Sequence, residues 1–389
     1  MDVSRRSFLL KSGLALGAAA VVSVGRLPRV HAATSENRLV LVIMRGAADM
    51  LGMLPAVGDP DYATMRGDLA FTWEQVLPLN DRFGLTPALD QIHGWYSGGE
   101  LLLFPAVTSQ YRNRSHFDGQ AILETGLDDP KKVDSGWLGR LIRARGGEMQ
   151  SLSVGSGVPT VLRGATGLVS MPPGGMVLPT ADVIDRMAQI YEHDPRFAAF
   201  GEEIRQSSEL VSGIETKSIR ELQAFDLAGQ MLKKPGGARI AVLSSDGWDT
   251  HTRQGTVDGR LFRTARTLSK GLVMLRRKMG EDVWRHTVVL GLSEFGRTVR
   301  MNGSGGTDHG TGGFAFMAGG AVNGGRVVGE WPGLAPAALY ENRDVAPATD
   351  MRAIIHTILA DHLAITEAEI RSALSGDGTP RAIPDLVRA

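Results

Sequence analysis

Six short apolar runs punctuate the chain, at 38–44 (RLVLVIM), 101–107, 151–155, 239–245 (RIAVLSS), 287–292 (TVVLGL) and 314–318. Most lack the alternation of a half-solvated strand, so the period-2 pattern does not choose a wet face. Runs of this length and continuity read as strands buried on both sides, which requires helices above and below. Helical stretches separate several of them: 86 onward with Pro87 in its first turn, 115–126, 257–280, and a final pair near 350–363 and 367–374. The alternation predicts an α/β fold, a mostly parallel sheet with helices on both faces. In open sheets of this kind, sites form just past the carboxyl ends of the strands.

Ionisable residues stand at several of those ends. The first run leads into Arg45-Gly46-Ala47-Ala48-Asp49, placing a carboxylate in the loop. The second leads through Arg112 and Arg114 to Ser115, His116 and Asp118 at the start of a helix. Ser115 and Asp118 have the spacing of a capping box. A serine hydroxyl there also lies where helix N–H groups favour anions, with arginines at hand to grip a phosphate or sulfate. The run at 239–245 is followed by Asp246, Asp249 and His251, and oxygen and imidazole donors so placed suit Zn²⁺, Mn²⁺ or Mg²⁺. The run at 287–292 turns polar at Ser293, Glu294 and Arg297, and a glycine-rich loop then delivers Asp308 and His309. His286, His356 and His362 read as structural, and His93 as a packed or surface residue. The segment 164–180 reads as loop, and 181–234 as helical with a break at Pro195, a covering element and not a site.

The N-terminus has a different character. Ser4-Arg5-Arg6-Ser7-Phe8-Leu9-Leu10-Lys11 resembles a twin-arginine export signal, followed by a weakly apolar stretch at 13–24 and small residues for cleavage after Ala32. That stretch is shorter than the roughly 20 residues a membrane span needs, so no stable span is expected. The reading gives residues 1–32 as signal peptide and 33–389 as one α/β domain, periplasmic or secreted, with the twin-arginine machinery as its export partner. The whole chain is neutral, with 42 basic and 42 acidic residues; without its signal it carries about −4. No excess of positive charge points to nucleic acid. Cysteine is absent, as are a G-x-G-x-x-G after the first strand and a haem motif, which argues against a redox protein.

RGAAD at 45–49, RSHFDGQ at 114–120, SSDGWDTH at 244–251, LSEFGRT at 292–298 and GGTDHG at 305–310 together resemble the uncharacterised family called domain of unknown function 1501. That family is grouped with the alkaline phosphatase and sulfatase-like superfamily, and the resemblance covers the mature chain. It implies a metal-dependent hydrolase of phosphate or sulfate esters, holding one or two divalent ions (Zn, Mn, Mg or Ca) and acting on a small-molecule or polymer ester. Asp49, Asp249, His251 (with Asp246), Glu294 and His309 would match metal positions, with Asp308 beside them. Ser115 would sit near the nucleophile position, with His116 the other candidate, and Arg114 or Arg297 would offset charge on the transferring group. Two departures stand out. Phe295 follows Glu294 where the superfamily usually has histidine, which would leave a second metal short of a ligand, and Ala47 and Met50 stand where glycines are expected. A non-catalytic exported protein that keeps the fold is the competing expectation.

Overall fold

The computed structural model describes residues 36–146, 149–155, 157–171, 220–374 and 378–388. The signal expected at 1–32 and the loop and helix expected over 172–219 lie outside the described residues. Among the described residues the main sheet has nine strands: β1 (Arg38–Met44), β2 (Leu101–Thr108), β3 (Ser151–Val154), β4 (Leu168–Met171), β5 (Ile240–Ser245), β6 (Thr287–Leu292), β7 (Gly313–Ala318), β8 (Arg326–Val327) and β9 (Thr349–Asp350). Their order across the sheet is β8-β2-β7-β6-β1-β5-β3-β4, with β9 also paired to β2. All pairings are parallel except the two that β7 makes with β2 and β6. The six apolar runs of the sequence are all strands of this sheet. The sheet is mostly parallel, as expected, with one strand reversed between two that run with the rest.

Alternation along β1 explains the continuous apolar pattern. Val40, Val42 and Met44 face one core with α1 (Asp90–Ser97), α4 (Arg220–Lys233) and α5 (Gly259–Met279), through Ile92, Phe225, Leu268 and Leu272. Leu39, Leu41 and Ile43 face a second core with α3 (Trp137–Ala144), α6 (Met351–Thr357) and α7 (Glu367–Leu374), through Trp137, Leu141, Ile354 and Ile370. Both sides of the strand are therefore dry, and no polar face is required. The helix α2 (His116–Thr125) follows β2.

Two elements departed from expectation. The stretch 164–180 reads as loop, yet Leu168–Met171 is the edge strand β4; four residues running into Pro172-Pro173-Gly174-Gly175 are too few to show a period. The helix α3 was not anticipated, although Leu138, Leu141 and Ile142 have helical spacing on a buried face. Among the described residues, no helix is long and apolar enough to cross a membrane.

The reversed strand positions the site. β1, β2, β5 and β6 end at one edge of the sheet, and β7, running against its neighbours, begins there. The loop that enters β7 therefore joins the loops that leave the others. Beyond the sheet, this entering loop pairs with the one leaving β6: Thr298 N donates to Asp308 O (2.9 Å) and Gly310 N to Gly296 O (2.8 Å). A side chain at Gly306 would put its Cβ 2.3 Å from Thr250 O, so the strand-end loops pack at backbone distance.

The structural histidines behave as such. His356 bonds Pro380 O and Glu367. His362 is buried near the start of β1, with Nε2 2.9 Å from the Arg38 carbonyl. Burial pushes its pKa down to about 4, and Arg239 and His286 add to that. Between the ordinary imidazole value and about 4, the unfolded chain takes a proton that the folded chain refuses, so stability falls as pH drops through this window. We predict that acidification from pH 7 to 4 costs the wild type about 3 kcal/mol more than it costs His362→Gln, read by urea unfolding at each pH. Equal pH slopes for the two proteins would refute it.

Candidate metal centre

Three imidazoles meet at the strand ends, and each spends Nδ1 on an acceptor. His116, the first residue of α2, lies 2.7 Å from Glu294 Oε1 by its Nδ1. His309, in the loop entering β7, lies 2.9 Å from the Arg114 carbonyl. His251, in the loop leaving β5, lies 3.3 Å from Asp308 Oδ1. A carboxylate or carbonyl can only accept, so Nδ1 donates in all three and the lone pair is left on Nε2.

The Nε2 atoms converge around Asp249. His251 Nε2 is 3.0 Å and His309 Nε2 3.4 Å from Oδ1, and His116 Nε2 is 3.6 Å from Oδ2. His251 and His309 face each other at 2.9 Å, Nε2 to Nε2. Two lone pairs at that distance repel unless a proton or cation lies with them. His116 Nε2 is buried and has no hydrogen-bond partner. Donor atoms of His116, Asp249 and His309 all lie within 4.8 Å of one another. Ligands of a tetrahedral zinc with bonds of about 2.0 Å sit about 3.3 Å apart, so these spacings suit such an ion. Imidazoles held at Nδ1 by a carboxylate or carbonyl are the usual outer support of a metal site. The donor set fits a divalent cation of the zinc class.

The surroundings fix the protonation. Burial lowers the His309 pKa, aided by nearby His116, which keeps its imidazole neutral. The Glu294 hydrogen bond raises that of His116 against desolvation, which makes Nε2 a stronger base and donor. Burial would raise Asp249, but the hydrogen bond and charge of Arg297 outweigh it and hold the carboxylate below its usual range. Glu294, fully buried, is likewise held low against its desolvation by His116, Gln120 Nε2 (3.2 Å) and Gly46 N (2.9 Å). Gly46 has φ +118°, and a Cβ there would strike Asp249 N at 2.4 Å.

Residues expected at the site divide into groups. Asp249, His251, His309 and His116 come together. Glu294 and Asp308 stand behind His116 and His251, one step from the donors. Arg297 is buried and donates to Asp249 Oδ1 (2.9 Å), Gly46 O (3.2 Å) and Thr307, so it orients a donor. Arg114 has its guanidinium on Asp344 (2.7 and 2.9 Å) and Glu341, and its contribution to the cluster is its carbonyl.

Asp49 and Asp246 do not join the cluster. Asp49 is sealed 1% exposed, its Oδ2 taken by Arg66 and by Gln254 Nε2 (2.6 Å). Asp246 is exposed on the loop, where it acts on Glu221. Ser115 is the N-cap of α2 but makes no side-chain cap bond, and Asp118 accepts from Tyr111 Oη (3.0 Å) instead, so the expected capping box does not form. Ala47 adopts φ +60°, a left-handed conformation that accounts for glycine being expected in that loop.

Sequence reading missed Arg66, Gln254, Thr307 and Gln120. Thr250 and Thr307 donate to Gln254 Oε1 at 2.7 Å each, and Arg297 Nε donates to Thr307 Oγ1 at 2.7 Å. Arg66, Asp49, Gln254, Thr307, Arg297 and Asp249 thus form one continuous chain of hydrogen bonds. Gln120 closes the RSHFDGQ motif and was legible there; Arg66 lies in a stretch of mixed polarity and gave no signal. Phe295 is buried and stacks on His116, ring centroids 5.0 Å apart, and lies 5.4 Å from His309. It forms an apolar wall behind the imidazoles.

Residues 211–374 match the sequence model of the family described as "Protein of unknown function (DUF1501)", the family that the motifs resemble. The stretch contains Asp249, His251, Glu294, Asp308 and His309. No curated protein matches the sequence. Several solved structures are similar to it at low identity. Ps i-CgsB in complex with k-i-k-neocarrahexaose is 11% identical, covering 87% of this chain and 74% of that one, with a TM-score of 0.44. The C-terminal periplasmic domain of EcEptC from Escherichia coli, in complex with Zn, is 11% identical, covering 77% of each chain, with a TM-score of 0.39. A protein in the alkaline phosphatase superfamily from Vibrio parahaemolyticus is 12% identical, covering 78% of this chain and 62% of that one, with a TM-score of 0.34.

Glu294→Gln keeps the shape but removes the charge that fixes the His116 tautomer. Zn²⁺ affinity, measured by competition with a chromogenic chelator, should weaken by about 10–100-fold. An unchanged affinity would mean that His116 does not bind the ion through Nε2.

Proposed function

We propose that the chain is an exported, divalent-metal-dependent hydrolase of phosphate or sulfate esters. The observation that carries this reading is the convergence of His116, His251 and His309 Nε2 on Asp249, with the His116 nitrogen buried and unpartnered. The family resemblance supports the ester chemistry, and the twin-arginine motif at Ser4–Lys11 supports export to the periplasm or beyond.

His116, Asp249 and His309 would hold the cation, with His251 alongside. When bound, it supplies Lewis-acid polarisation of the ester and neutralises its negative charge. The rest falls to the protein. Glu294, Asp308 and the Arg114 carbonyl hold the imidazoles to one tautomer and one orientation. Arg297 holds Asp249 ionised and in place. Ser115 adjoins His116 in the chain, and with its hydroxyl free of capping duty it is the assigned nucleophile toward phosphorus or sulfur. Tyr111 Oη accepts from Ser115 N at 3.2 Å and fixes the head of the helix. Burial raises the Tyr111 pKa, so the phenol keeps its proton and orients the turn without acting as a base.

One ion per chain is expected. The two buried strand-end carboxylates are already committed, Asp49 to Arg66 and Glu294 to His116, Gln120 and Gly46 N. Phe295 offers no donor beside them. The same residue favours a second reading, a non-catalytic exported binding protein that holds a cation without turnover.

Protein purified without chelator should contain about one equivalent of Zn, Mn, Mg or Ca. It should hydrolyse aryl phosphate or sulfate esters, lose that activity to EDTA, and recover it with added metal. His309→Ala should lower kcat/KM by about 10³-fold, with Ser115→Ala close behind. Metal without turnover across both ester classes selects the binding protein. Neither metal nor turnover removes both readings.

A further inference from the structure

A basic cleft of about 570 Å³ adjoins the donor cluster, lined by Thr252, Arg253, Arg260, Arg263 and Ser304. It shares its walls with the site. Thr252 and Arg253 directly follow His251, and Arg253 N donates to Ser304 O (3.1 Å) in the loop that carries Asp308 and His309. Asn302 Nδ2 ties the two walls together, at 3.0 Å from both His251 O and Asp308 Oδ1.

The three arginines there are not accounted for by the fold. All three are exposed, and among the described residues none forms an ion pair with a carboxylate; Arg260 Nη1 donates to Thr252 Oγ1 at 3.2 Å. Asp258 precedes α5 but its side chain does not cap the helix. Arg260 and Arg263 also stand at the wrong end of α5. This helix is 21 residues long with no acidic residue in its first turn, so its positive pole and two guanidinium groups repel one another. Its first N–H groups are met by backbone: Arg260 N reaches Arg253 O at 3.4 Å and Leu261 N reaches Gln254 O at 3.1 Å. The loop that supplies those carbonyls holds Arg253 at φ +46°, a left-handed conformation that an arginine adopts at a cost. Gln254 anchors the same loop to buried Asp49. Side chains and strained backbone converge on a positive concavity held rigidly beside the cluster.

Building on the hydrolase reading, we propose that this cleft receives a second anionic group of the substrate. The preferred ester would then carry at least two phosphate or sulfate groups, one at the donor cluster and another against Arg253, Arg260 and Arg263. Guanidinium groups suit both anions through paired N–H donors. A substrate with one anionic group would leave the repulsion at the head of α5 in place.

Inositol hexasulfate serves as the probe, titrated calorimetrically into the full-length protein in moderate salt. The wild type should bind it, and Arg260→Gln/Arg263→Gln should bind at least fivefold more weakly. Arg277→Gln, an exposed site farther along the same helix, should change affinity less than twofold. After chelator treatment the double variant should still bind at least fivefold more weakly than the wild type, because the cleft does not depend on the ion; this separates the cleft from the metal reading. The proposal is overturned if the wild type does not bind, or if the double variant weakens less than fivefold. It is also overturned if Arg277→Gln weakens binding twofold or more, or if chelation abolishes the difference between the wild type and the double variant.

Discussion

Each imidazole at the strand ends is tied through Nδ1 to a group that can only accept a hydrogen bond, and that constraint gives the centre its chemistry. Glu294, Asp308 and the Arg114 carbonyl decide which nitrogen carries the proton, so the other must present a lone pair inward. None of this would matter if the rings were far apart. They meet because β7 runs against its neighbours and brings its entering loop to the edge where β2, β5 and β6 end. A uniformly parallel sheet would have carried His309 to the opposite edge.

Behind the cluster, the charges are arranged so that one carboxylate stays available. Asp49 and Glu294 are fully buried and committed to partners, whereas the Asp249 side chain is 43% exposed. Separating Asp49 from Arg66 would strand a buried charge, a loss of about 3–5 kcal/mol in comparable pairs. The pair is therefore a structural tie between the loop after β1 and the loop after β6, where Arg66 also donates to Thr298 O (3.2 Å) and Val299 O (3.0 Å). Through Gln254, Thr307 and Arg297 the same tie reaches Asp249, which couples the stability of these loops to the orientation of a donor.

Much of this was legible in the chain. Continuous apolar runs such as RLVLVIM declare strands dry on both faces; Asp249, His251 and Glu294 stand close after such runs, and His309 just before one. The reason these were readable is local: a strand end followed at once by a donor leaves few places for the side chain to go. What was not legible is partnership. Asp49 looks like Asp249 in sequence, since both follow a buried strand and a glycine, yet Arg66 arrives from a stretch without periodicity to neutralise it. Glu294 looks like a donor until His116 is placed against it. His116 itself reads as an alternative nucleophile to Ser115 until its ring is seen between Glu294 and Asp249. β4 escaped for a simpler reason, being too short to show a period, whereas the helical spacing of α3 was present but confined to eight residues.

The central claim is that one divalent ion sits among the Nε2 atoms of His116 and His309 and the carboxylate of Asp249. Anomalous diffraction from crystals grown with Zn²⁺, recorded on both sides of the zinc edge, tests it directly. The account predicts a single peak about 2.0–2.2 Å from those three donors, with every Nδ1 still on its acceptor. A peak at Asp49 or Glu294, ligation through Nδ1, or no peak at saturating zinc would contradict it.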